Sequence, residues 1–141
     1  MPVVVRAYGK NFDVDAFLAH CTLPVCAVKR LGAPVHPASE PDGRRYTESG
    51  VHVLAGEGDF SDLPLQVEQA IAFLRSNESE LRRLSTFSGV EIATLDFGIE
   101  RRDVIFQFDR LPAELLQLAG SLGLDIEVSQ YPTADKTEET G

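Results

Sequence analysis

The stretch VEIATLDFGIERRDVIFQFDRLPAELLQLAGSLGLDIEVSQY, residues 90–131, decides how the fold is read. Val90 to Ile99 is the longest run of strand-forming residues in the chain. Asp103 to Asp109 has similar composition and follows across Glu100, Arg101 and Arg102, so the pattern predicts a hairpin. Pro112 suits a helix start, Leu115, Leu118, Ala119 and Leu122 recur at helical spacing, and Gly123 supplies a left-handed C-terminal position. Leu124 to Tyr131 then reads as a last strand. Strand, strand, helix, strand is a fold signature, and it carries no catalytic constellation.

Working back toward the N-terminus, Val3 to Tyr8 is a β-branched and aromatic run closed by Gly9. Asp13 is placed to cap a short helix through Val14, Phe17 and Leu18, which Pro24 stops. Val25 to Leu31 and Gly50 to Ala55 read as strands, separated by a polar loop with three prolines. Asp62 caps a helix with Pro64 in its first turn, an inward stripe of Val67, Ala70, Ile71 and Leu74, and an outer face of Gln66, Glu68, Gln69 and Arg75. Asn77 with Glu80 has the form of a capping box for a second short helix through Leu81 and Leu84, ended by Ser88-Gly89.

The order βαββαβ followed by βαβ predicts a two-layer α+β sandwich, with a mixed, mostly antiparallel sheet of about six strands and helices on one face. A ferredoxin-like arrangement with an added extension is the leading topology. A chain of 141 residues with 43% hydrophobic content sustains one core, so residues 1–131 are read as one domain and the polar, acidic residues 132–141 as a disordered tail.

A net charge of −9 argues against a protein that grips nucleic-acid phosphates, and it suits a basic protein partner. Cys21 and Cys26 lack disulfide-scaffold density and CxxC spacing, which predicts two reduced thiols packed as small core residues in a cytoplasmic protein. The N-terminal apolar run meets Arg6 too soon for a signal segment or a membrane span.

Gly9 with Phe12-Asp13, the run Lys29 to Pro34, the run Leu111 to Leu116, and the run Ile126 to Tyr131 are four pieces scattered over most of the chain. Together they resemble a bacterial family of small α+β proteins of unknown function, some of whose members are associated with toxin-immunity neighbourhoods. The family often places Trp just before the glycine turn, whereas this chain contains no Trp. The resemblance implies a fold and a binding role, with no catalytic residues to carry over.

The candidate sites are surface features. His20, His36 and His52 lack the spacings that put two imidazoles on one metal, so neither a metal nor a cofactor is expected. Asp96 lies in an apolar strand, and alternation puts it on the face of Thr94, away from Leu95 and Phe97, where solvent exposure is the simpler reading. Gly56 and Gly58 sit where a phosphate-binding turn would, but Glu57, Asp59 and Asp62 fill that turn with negative charge.

Arg30, His36, Arg44, Arg45 and Tyr46 form the most plausible ligand-recognition element, because guanidinium groups take carboxylate or phosphate in bidentate fashion. Glu57, Asp59, Asp62 and Glu68 form the matching partner-recognition set for a basic protein. The expectation is therefore a cytosolic, non-enzymatic binding protein, an immunity-type inhibitor of a basic toxin or effector. The alternative is a sensor or small enzyme holding an anionic small molecule with the 29–46 loop. A third reading is a homodimer built through a sheet edge.

Overall fold

The computed structural model describes residues 2–132, so the predicted tail lies, from Thr133 onward, outside the described residues. β1 (Val3–Gly9) is the middle strand of one five-stranded sheet, ordered β2-β3-β1-β4-β5. It pairs antiparallel with β3 (Ser49–Gly56) on one side and with β4 (Ile92–Glu100) on the other. Strand alternation sends Val3, Val5 and Ala7 toward the helices and Arg6 and Tyr8 the opposite way.

α1 (Val14–Leu18) begins at Asp13, whose carboxylate accepts the Ala16 amide at 3.1 Å. β2 (Val25–Lys29) pairs antiparallel with β3 and forms one edge of the sheet. Between them, residues 30–48 form a hairpin arm, with Ala33 and Tyr46 joined by an amide-to-carbonyl hydrogen bond of 2.9 Å and a bridge between Pro34 and Arg45. α2 (Leu63–Ser76) is capped by Asp62, which accepts the Leu65 amide, and α3 (Glu78–Ser85) follows after Asn77. α4 (Ala113–Ser121) returns the chain so that β5 (Asp125–Tyr131) lies parallel to β4 at the other edge.

In the first four strands, each strand–helix–strand unit is split by a strand of the other unit. β3 lies between β1 and β2, and β1 lies between β3 and β4. That is the ferredoxin-like plan, here extended by one helix and one parallel strand. The sheet has five strands rather than about six, because residues 103–109 find no strand to pair with.

One core lies between the sheet and the helices. Phe97, Leu95, Val53, Leu74, Leu81, Leu84 and Leu115 are wholly buried there. Phe12, Phe17 and Phe87 close one end edge to face, with Phe17 and Phe87 centroids 5.4 Å apart. The Arg83 guanidinium stacks 4.2 Å over Phe17, donates to the Phe17 carbonyl and pairs with Glu80. Glu80 also accepts the amide and hydroxyl of Thr22, and these bonds, led by Arg83, hold its carboxyl below the usual range.

Glycine pairs the ends of β1 and β4. A Cβ at Gly9 would fall 2.0 Å from the Gly89 carbonyl oxygen, and Gly89 itself has a φ of +88°.

Three local expectations are corrected. The Asn77 side chain makes no capping bond to α3, because its amide group donates to the Phe73 carbonyl and Glu80 is engaged by Thr22 and Arg83. Gln66 is not on an outer face but fully buried, with Nε2 donating to the Asp59 and Gly98 carbonyls at 2.7 and 2.9 Å. Cys26 is exposed rather than core, its thiol 3.4 Å from the His52 carbonyl, and both cysteines are free thiols.

Candidate functional site

All four helices lie on one face of the sheet and leave the other uncovered, so the outward residues of β1, β2 and β3 meet there. Register places Arg6 opposite His52, Tyr8 opposite Gly50, and Gly50 opposite Lys29. The returning limb of the hairpin arm, Tyr46 to Glu48, forms a wall beside them. The result is an open pocket of about 530 Å³ whose functional groups come from Arg6, Tyr8, Lys29, Tyr46, Glu48 and His52.

Gly50 keeps the pocket floor low. A Cβ there would lie 2.8 Å from the Ala7 carbonyl oxygen and 2.9 Å from the Tyr8 Cβ. The Lys29 ammonium sits 5.6 Å from the centre of the Tyr46 ring, and among the described residues no carboxylate pairs with it. Burial first, then the positive charges of Lys29 and Arg6, push the His52 imidazole down to about 4, so the ring is neutral at physiological pH. Burial and nearby carboxylates, Glu127 foremost, raise the Tyr8 phenol above its ordinary value, so it keeps its proton.

Arg6 links this pocket to a second feature. Its guanidinium lies 3.1 Å from the Asp96 carboxylate and 3.6 Å from Glu127, and Asp96 accepts the Ser129 hydroxyl at 2.7 Å. The Asp96 side chain is 4% exposed, which overturns the expectation of a solvated residue. Alternation did put it on the face away from Leu95 and Phe97, but Arg6, Ser129 and the flanking strands cover that position. The network holds the Arg6 side chain from β4 and β5, so the pocket has a tethered cation at one side and a freer one, Lys29, at the other.

Of the expected ligand-recognition residues, only Tyr46 reaches the pocket. Arg30 is tied to Asp15 at 2.8 Å on the surface, Arg45 donates to the Gly32 carbonyl, and His36 and Arg44 lie exposed on the hairpin arm. In the acidic set, Asp62 caps α2 and Asp59 accepts the Ser61 amide and hydroxyl, which hold its carboxyl below the usual range. Glu57 and Glu68 stand exposed.

Arg6, Tyr8, Glu48 and His52 were not singled out from the sequence as site residues. The available signal was polar residues at alternate positions of interior strands, Arg6 and Tyr8 in β1 and His52 in β3.

Among the described residues no group of three or more His, Cys, Asp or Glu is placed to hold a metal ion, and no helix is long and apolar enough to cross a membrane. Fold and site together define a ferredoxin-like α+β protein with a polar pocket on its uncovered sheet face. No protein-family model, curated protein or solved structure matches the chain.

Proposed function

We propose that this is a cytoplasmic binding protein for a small molecule that carries an acidic group beside a planar or apolar part. The observation that carries this reading is the unpaired Lys29 ammonium in the uncovered-face pocket, facing the same space as Arg6 and flanked by two tyrosines. A carboxylate or phosphate gains from both cations, while Tyr8 and Tyr46 offer ring faces and the Tyr8 hydroxyl a donor. The volume suits a compact metabolite.

Binding fits better than turnover, because the His52 imidazole, pushed down to about 4, is a weak general base. The test is a thermal-shift screen of carboxylated and phosphorylated metabolites, followed by calorimetry. Lys29→Met should weaken any hit by about tenfold or more, a loss on the scale of one charge-assisted hydrogen bond. A hit whose affinity is unchanged by Lys29→Met counts against this pocket.

A second reading keeps an immunity-type role against a basic protein, favoured by the net charge of −9 and by the exposed Glu57 and Glu68. It predicts association with one basic partner that weakens as salt rises, and Glu57→Gln with Glu68→Gln should lower the on-rate.

A further inference from the structure

Residues 101–110, between β4 and α4, form no strand, and beyond Arg101, whose amide donates to the Tyr131 carbonyl, they hold their apolar side chains in solvent. Val104 is 55% exposed, Phe106 76% and Phe108 69%, and Ile105 is fully exposed. The two phenylalanines alone present roughly 300 Å² of aromatic surface. With Val104 and Ile105 the patch belongs to the size class that marks interaction sites.

The segment bends at residues 103–105 and runs on without regular secondary structure to Arg110. Phe106 and Phe108 share one side with centroids 6.0 Å apart, the relation of residues two apart on extended backbone. Its base is closed by Arg102, which pairs with Asp109 at 3.2 Å, and by Gln107, which accepts the Arg102 amide and donates to the Glu100 carbonyl. Among the described residues the amides of Ile105, Phe106 and Phe108 have no hydrogen-bond partner. Backbone amides and apolar side chains therefore both face solvent over the same few residues.

We infer that residues 103–109 are an arm by which the chain associates with a second copy of itself. Each arm lies along the outer edge of β5 in the other copy, and the contact is reciprocal about a two-fold axis.

Three observations favour this occupant and this edge. First, β5 is seven residues long with an unbroken register against β4 and so offers a regular outer edge, whereas β2 has five residues and an irregular register. Second, the arm with its flanks, residues 101–110, carries three arginines against two aspartates in a chain of net charge −9. The β5 segment carries Asp125 and Glu127 and no basic residue, while the β2 edge leads into Lys29 and Arg30. Third, Val128 on β5 is itself 46% exposed and offers apolar surface to the arm. Two arms and two edges together reach roughly the 1,200–2,000 Å² of a specific interface.

The experiment is sedimentation equilibrium of the full chain from about 5 to about 500 μM, a range that brackets micromolar to submillimolar association. The wild type is expected to form a dimer that weakens as salt rises. Ile105→Asp with Phe106→Asp should weaken association by about 30-fold or more, the scale of a hot-spot loss, with an unchanged urea midpoint because both side chains are exposed. Val128→Lys should weaken it as well. A wild type that stays monomeric throughout overturns the inference, as does an arm variant that dimerises like the wild type. A Val128→Lys variant with wild-type affinity overturns β5 as the acceptor.

Discussion

Acidification tests the neutral state of His52 directly. Its imidazole is held at about 4 against an ordinary value near 6.5, so between those pH values the unfolded chain binds a proton that the folded chain refuses. A depressed histidine contributes stability that is complete above about pH 6.5 and is lost as pH falls toward 4. The ceiling of that loss is about 3 kcal/mol from the two values. Solvent reaches this half-buried ring, which reduces the expected loss to about 1–1.5 kcal/mol.

Asp15, Asp59 and Glu80, whose carboxyls are held low by their partners, also lose stability in acid, so the wild-type curve alone does not isolate the histidine. Comparison with His52→Gln does. Urea unfolding followed by circular dichroism at steps from pH 7.5 to 4 should show the wild type losing more stability than the variant. With a slope of about 1.5 kcal/mol per molar urea, the excess is roughly 0.7–1 M in midpoint. Two curves that fall in parallel over this range refute the argument.

The remaining predictions concern the frame. Gly9→Ala drives a Cβ onto the Gly89 carbonyl and should cost about 3 kcal/mol, read as a lower urea midpoint with the far-ultraviolet spectrum retained. Gln66→Leu removes the donor shared by the Asp59 and Gly98 carbonyls and should cost about 2 kcal/mol; a neutral result would mean that solvent reaches those carbonyls.

The βαββαβ order and the extension were legible because each element carries its own period and its own stop. Val3, Val5 and Ala7 alternate, Asp13 and Asp62 cap, and Gly123 ends α4 with a φ of +77°. Residues 103–109 form no hairpin with β4 because strand composition reports what a segment tolerates, while pairing requires a free edge, and β1 and β5 occupy both edges of β4. Asp96 and Gln66 were misplaced for a related reason: periodicity assigns a side chain to a face, but cover depends on which neighbours reach over it. The pocket was illegible because its residues lie on three strands and a hairpin limb, and only the strand order brings Arg6, Lys29 and His52 to one place.

The central position of β1 also sets a timetable for the chain during synthesis. Its seven residues, Val3–Gly9, pair with β3 and with β4, and the β4 partner of Val3 is Phe97. At about 5–20 residues per second the ribosome needs roughly 5–20 s to make that stretch. The valines of β1 gain one strand neighbour once β3 is complete at Gly56 and the other only after Phe97 is made, so the centre of the sheet closes late in synthesis.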